Sequence, residues 1–414
     1  MRARKSFLWH AKFLQEHEDV QKSVIRLVVR KDWSRRSFRY SSVYDNEDNV
    51  RKFYTPLYKA VCHTIPYLGS LRYLILSGWK LTSILLGQLQ FLPQLHTLEM
   101  DQCKLIAPLS HPLPQLPSVL NLSYTFHEDA HFASWIVMHI CPNLETLSVS
   151  ITNELHNSDP DLPVENFVDE FNPFMTLRKY YISSISVSAV PRLTSWIRTA
   201  RGQSPDRKIP LTHFKIDVNG GIKKDVILDL LDALKGSSVE SLILDGIRYA
   251  ELDLLDKIAQ ALPNLLDLVL IYRDSDRQLR PEFIEWPHAS WEYASHFSSF
   301  KRLQYIGWNC RRFSPTFTPV SMLRFEDDDF TDSTLDDRES DRDYPPDEER
   351  LLAKCLWSYC PTLEYMLITS EYPASLYRRN DKDGLVQFES VIDQGAFRRN
   401  PNMGWPPCNP RKQD

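Results

Sequence analysis

Glycine is scarce in this chain, with 12 among 414 residues against 27 prolines. Neither G-x-G-x-x-G nor a P-loop occurs, so no backbone cradle for dinucleotide or nucleoside triphosphate phosphates is visible. Cysteine is scarce as well. Cys62, Cys103, Cys141, Cys310, Cys355, Cys360 and Cys408 form an odd set without a C-x-x-C pair, which argues against a secreted disulfide framework and against a zinc finger. No apolar run approaches the roughly 18 residues that a membrane span needs. No G-x-S-x-G elbow marks a nucleophile, so enzyme readings lack a specific anchor. The opening "MRARKSFLWHAKFL" is basic, but His10 and Lys12 break its apolar stretch and no small-residue cleavage site follows. Neither sign of charge dominates: 49 basic and 54 acidic residues leave a net −5, which does not suggest a nucleic-acid binder. The absences lead to an expectation of an intracellular protein, cytoplasmic or nuclear, with no cofactor, metal, membrane or nucleic-acid partner.

What is present is a large apolar inventory, 43% hydrophobic and 12% aromatic, arranged with a period. "LRYLILSGWKL" places Leu71, Leu74, Leu76 and Leu81 in the pattern L-x-x-L-x-L-x-x-x-x-L. "LHTLEMDQCKL" repeats it with Leu95, Leu98, Met100 and Leu105, and puts Cys103 where leucine-rich repeats often carry Asn or Cys. The template fits again at Leu144, Leu177, Leu211, Val239 and Leu265, with weaker copies at Val24, Val119, Leu303 and Leu363. That gives roughly ten or eleven units, about 24 to 34 residues apart where regular. Several units are entered through a proline turn, as in "FLPQL", "CPNL", "ALPNL" and "CPTL". Helical patterns such as "AELDLLDKIAQAL" and "EERLLAKCLWSY" precede these turns.

Units this short cannot bury their own apolar face, so they must stack. The expected fold is α/β: a curved leucine-rich repeat solenoid, with parallel strands on the concave face and helices on the convex face. The expected boundaries are an N-terminal helical cap (1–23), a repeat array (24–324), an acidic disordered insertion (325–349), a last helix and repeat (350–378) and a C-terminal tail (379–414).

Residues between the core leucines should line the concave face, because side chains alternate along a strand. The expected partner-binding floor is Tyr73, Ile75, Glu99, Asp101, Lys179, Tyr181, Lys215, Asp217, Ile243, Asp245, Asp267, Val269, Tyr305 and Tyr365. Aromatic and apolar anchors among charges suit protein recognition.

Four other stretches compete for attention. His127, Glu128 and His131 spell H-E-x-x-H, which on a helix is the first half of a zinc peptidase site. The period instead puts the start of an outer helix here, running from about Glu128 to Ile140, with Thr125 and Glu128 as its capping box. Phe132, Trp135, Ile136, His139 and Ile140 would form its buried face. The acidic stretch 325–350 supplies hard oxygens but lacks calcium-loop spacing, and reads as a solvated insertion. "RKDWSRRSFRY" (30–40) interleaves basic and aromatic residues and reads as an exposed connection. "NGG" (219–221) reads as a turn after a strand.

Units built as "CPNLETLSVS" and "CPTLEYMLIT", irregular in length and broken by acidic insertions, resemble the leucine-rich repeat region of fungal F-box proteins. "FLWHAKFLQEHEDVQKSVIRLVV" looks like the helix and first strand that follow the F-box there. The resemblance implies a repeat array that holds a protein substrate while an F-box docks the adaptor of a cullin-type ubiquitin ligase. No F-box precedes these repeats; "LPVE" (162–165) has the opening letters but lies inside the array. The leading expectation is therefore a non-enzymatic protein-binding scaffold with adaptor docking left without its module. A repeat adaptor unrelated to ubiquitination and a zinc hydrolase using His127, Glu128 and His131 are the alternatives.

Overall fold

The computed structural model describes residues 2–30, 47–106, 113–127, 136–152, 171–273, 286–309, 346–368, 374–379 and 386–391. The chain forms two compact units, Met1–Ser184 and Ile185–Asp414.

The first unit opens with two helices, Arg2–Glu16 and Glu18–Ser23, where the sequence implied a helical cap. Its strands are β1 (Arg26–Arg30), β2 (Tyr73–Ser77), β3 (Lys80–Leu81), β4 (Thr97–Asp101), β5 (Lys104–Leu105), β6 (Asn121–His127), β7 (Thr146–Thr152) and β8 (Lys179–Ser186). β1, β2, β4, β6, β7 and β8 pair in that order, all parallel. The register aligns the aliphatic template residue by residue. One row runs Leu27, Leu74, Leu98, Leu122, Leu147 and Tyr180; the next runs Val29, Leu76, Met100, Tyr124, Val149 and Ile182. All but Leu27 in these rows are buried.

The second unit carries β9 (His213–Ile222), β10 (Ser241–Ile247), β11 (Asp267–Tyr272), β12 (Tyr305–Trp308) and β13 (Tyr365–Ile368), parallel and in chain order. Two antiparallel strands, β14 (Ala374–Arg379) and β15 (Val386–Val391), close it. Helices Val190–Gln203, Lys224–Leu234, Asp253–Ala261 and Pro346–Tyr359 supply its crossovers and flanks. The buried rows are Phe214, Leu242, Leu268, Ile306, Met366 and Tyr377, then Ile216, Leu244, Leu270, Trp308 and Ile368. Trp286, Tyr293 and Phe297 pack edge-on against Trp308 and fill the end of this core.

All eleven template stretches are therefore strands, the four weaker copies included. The proline turns have one shared geometry. In Leu92-Pro93-Gln94-Leu95, Leu116-Pro117-Ser118-Val119, Leu262-Pro263-Asn264-Leu265 and Cys360-Pro361-Thr362-Leu363, the last N–H donates to the first carbonyl at 3.0–3.2 Å. Proline is preset for the second position of such a turn. A second recurring device joins neighbours. The two N–H groups entering a strand both donate to one carbonyl just before the previous strand: Tyr73 and Arg72 to Ile25, Thr97 and His96 to Arg72, Tyr365 and Glu364 to Gln304.

Side chains lock the strand ends. The Trp79 indole N–H donates to the Val29 carbonyl at 2.9 Å, and Cys103 Sγ, the cysteine singled out by the repeat template, lies 3.3 Å from the Leu76 carbonyl. Gly78 follows β2 with φ 72°, and Gln102 takes the equivalent place after β4 with φ 51°. Gly246 has φ 97°, and a Cβ there would meet the Val218 carbonyl oxygen at 2.4 Å; it sits where the β10 register shifts.

Three expectations change. β6 continues through Thr125 to His127, paired with Ser150 and Thr152, because the strand ladder satisfies those backbone groups. Thr125 is thus not a helix cap. Of the expected outer helix, Ile136–His139 is helical, with Val137, Met138 and Ile140 buried and His139 half-buried, while residues 128–135, Phe132 and Trp135 among them, lie outside the described residues. "NGG" lies inside β9, not after it. The last helix starts at Pro346, four residues early, and the segment taken as a tail contributes β15. Residues 31–46, 128–135, 153–170 and 310–345 lie outside the described residues, and with them "SRRSFRY", Glu128, His131, "LPVE" and the acidic run 325–345.

Candidate functional site

The strand face opposite the aliphatic rows differs between the two units. In the first, register partners form a row of Arg26, Tyr73, Thr97, Asn121, Thr146 and Lys179, and a second of Val28, Ile75, Glu99, Ser123, Ser148 and Tyr181. These rows are mostly polar. Tyr73 is 47% exposed and Val28 42%, while Thr97, Glu99, Asn121, Ser123, Thr146 and Lys179 are half-buried. The side chains of Tyr73, Glu99 and Lys179 make no hydrogen bond or ion pair among the described residues, so their polar ends are unengaged. Ser148 Oγ is buried without a hydrogen-bond partner. Asp101 accepts from Ser77 Oγ at 3.0 Å. Ile75 and Tyr181 are buried, so those two expected floor residues support the face from within.

In the second unit the corresponding face is largely closed. Ile243, Val269, Ile271, Tyr305, Tyr365, Leu367 and Leu376 form one buried cluster. Val269, Gly307 and Leu367 are register partners across β11, β12 and β13, and a Cβ on Gly307 would press Val269 Cγ2 at 3.1 Å. The glycine lets Val269 and Tyr305 close over that position.

Beside this cluster lies a charged group. Arg273 Nη2 is 2.5 Å from Asp245 Oδ1 and 3.1 Å from Asp217 Oδ1, with side chains 11–28% exposed. Burial works against the Arg273 charge, but the two carboxylates outweigh it and hold the guanidinium pKa above its ordinary value. Lys215 is buried nearby. Desolvation pushes its ammonium down to about 8, although Asp245 and Asp217 favour the charge. Burial and the Glu240 charge push Asp267 up to about 6.

Of the fourteen expected floor residues, therefore, Tyr73, Glu99 and Lys179 stand on an accessible surface with free polar ends. Lys215, Ile243, Asp245, Val269, Tyr305 and Tyr365 do not, because a second layer of packing buries them. Asp101, Asp217 and Asp267 are half-buried. Arg26, Thr97, Asn121, Ser123, Thr146 and Ser148 belong to the same open face and were missed. Their signal is in the pairing, since each but Asn121 aligns with an expected residue in a neighbouring strand, and Asn121 lies between Thr97 and Thr146 in the same row.

His127 ends a strand, so the two histidines of H-E-x-x-H do not share a helix that begins with it. Among the described residues no three His, Cys, Asp or Glu side chains come together as a metal site, and no helix is long and apolar enough to cross a membrane. Every described free thiol is pushed up by burial, Cys103 and Cys141 to about 12, the direction of a packed side chain rather than a nucleophile. A scan against protein-family models finds no match, and no curated protein matches the chain.

Proposed function

We propose that the chain is a non-enzymatic, protein-binding leucine-rich repeat scaffold, similar to the substrate-recognition part of an F-box protein, and that it binds through the open strand face of residues 26–183. The single observation behind this reading is the set of unengaged side chains on one strand face. Tyr73 on β2 and Glu99 on β4 stand on adjacent strands, and Lys179 lies on the same face three strands beyond Glu99, on β8 next to β7, which carries the buried and unpartnered Ser148 hydroxyl. A face that carries a tyrosine and charges of both signs offers apolar contact, hydrogen bonding and charge selection together. The rigid ladder beneath keeps the ordering cost of binding low.

The test is affinity co-purification of the tagged full chain against the variant Tyr73→Ala, Glu99→Lys, Lys179→Glu, quantified by mass spectrometry. Proteins enriched by the natural chain should fall to background with the variant, while its melting temperature stays the same. Equal enrichment by both would contradict the assigned face. The adaptor of a cullin-type ligase in the wild-type eluate would support the F-box analogy; a partner without it favours an adaptor role outside ubiquitination.

A further inference from the structure

The entry row of the second unit's strands runs His213, Ser241, Asp267, Tyr305, Tyr365 and Arg378 on β9 to β14. Register partners in a sheet point to the same face and stand about 4.8 Å apart. Two members of this row are unsatisfied. Ser241 is 0% exposed, and its Oγ has no hydrogen-bond partner. The carboxylate of Asp267, its neighbour on β11, makes no hydrogen bond or ion pair among the described residues. Glu240 stands one residue before Ser241 and adds a second negative charge.

The same face shows how this protein neutralises such a pair when it does so itself. Four residues further along the same strands, Asp217 and Asp245 on adjacent strands share the Arg273 guanidinium. At the entry row the Asp267 carboxylate has no such cation among the described residues. Arg378 is not that cation: it stacks on Tyr365 at 5.6 Å, three strand intervals from Asp267. Lys215 is engaged electrostatically with Asp245 and Asp217. Among the described residues no three His, Cys, Asp or Glu side chains come together here to hold a metal ion.

We propose that Asp267 and Ser241, with Glu240 beside them, bind the guanidinium or ammonium group of a basic side chain on a partner polypeptide. The half-buried carboxylate supplies a charge-assisted acceptor and the unpartnered serine oxygen a second acceptor. This corner belongs to the second unit and does not depend on the face proposed above.

The experiment uses small probes so that the two readings fail separately. N-acetyl-argininamide and N-acetyl-lysinamide are titrated into the full chain at about 150 mM salt, where long-range attraction is screened. N-acetyl-glutaminamide is the uncharged control, and saturation-transfer NMR is the readout. Saturable binding of at least one cation is expected with Kd on the order of 10 mM or tighter. Asp267→Asn should weaken it about tenfold, and Ser241→Ala several-fold. Asp206→Asn, which removes an exposed carboxylate outside both proposed sites, should leave it unchanged. Absence of saturable cation binding, equal affinity in Asp267→Asn, or an equal loss in Asp206→Asn would overturn the proposal.

Discussion

Two strand faces built from the same repeat unit have opposite characters. Along β4, β6 and β7 the faces alternate cleanly, as "TLEMD", "NLSYT" and "TLSVS" show: Leu, Met, Tyr and Val turn to the core, and Thr, Glu, Asn and Ser to the open side. Along β10, β11 and β13 the sequence is nearly continuous in apolar residues, "SLILDGI", "DLVLIY" and "YMLI", and both sides are buried. Parallel strands covered on both sides read as continuous apolar runs, whereas strands with one open side alternate. The lesson is that a shared leucine template fixes which residues stack, while the residues between the leucines decide whether the other face is a surface or a second core.

The sharpest way to break the contrast is to place a charge at the same strand position on each face, the third residue of β11 and of β6. Val269→Asp inserts a carboxylate into the buried cluster and should destabilise the second unit by about 3–5 kcal/mol. Ser123→Asp on the open face should change stability by no more than about 0.5 kcal/mol. Denaturant unfolding of each variant gives the comparison, and similar losses in the two would remove the distinction between the faces.

Next in size is Asp245→Lys. It leaves Arg273 and Lys215 beside a third cation and should cost about 2–3 kcal/mol by the same measurement, with Asp217→Lys costing less because Asp217 is farther from Arg273. Reversing these charges therefore tests folding rather than partner capture, contrary to what strand alternation alone suggests.

Asp267→Asn should act in the opposite direction. The carboxyl pKa rises from 3.8 to about 6 on folding, so the folded state holds its proton more tightly than the unfolded state. Stability is then lost as pH climbs through that window, and the loss is complete above it. The asparagine variant should be more stable than the natural chain by about 2 kcal/mol at pH 8, and equally stable below about pH 3.5. A stability difference that does not change between these pH values would refute this assignment.

The smallest effect is expected on the outer side of the second unit. Arg198 spans Asp229 and Asp232 at 2.6 and 3.3 Å between two helices, with its side chain 39% exposed. Arg198→Ala should cost only about 0.5 kcal/mol, measured as a small shift in melting temperature.

Much of this architecture is legible from the residues. The i, i+3, i+5 leucine spacing locates all eleven template strands, and proline in "LPQL", "LPNL" and "CPTL" locates their entry turns. Its blind spots have physical reasons. Strict alternation puts Ile243, Val269 and Tyr305 on a surface, although their strands do not alternate. Thr125 and Glu128 spell a capping box, but hydrogen bonding to β7 carries the strand through Thr125 to His127. β14 and β15 follow no leucine template, because they pair antiparallel rather than by repetition. Of the candidate site, Tyr73, Glu99 and Lys179 were readable from position alone, whereas Ser148 required knowing which hydroxyl is enclosed without a partner.

The most direct test of the two-face account is hydroxyl-radical footprinting of tyrosines in the full chain, read by mass spectrometry. Tyr73 on the open face is 47% exposed, whereas Tyr305 and Tyr365 on the closed face are 1% and 8% exposed. Rapid oxidation of Tyr73 with Tyr305 and Tyr365 protected is the predicted result. Tyr305 reacting as fast as Tyr73 would contradict it.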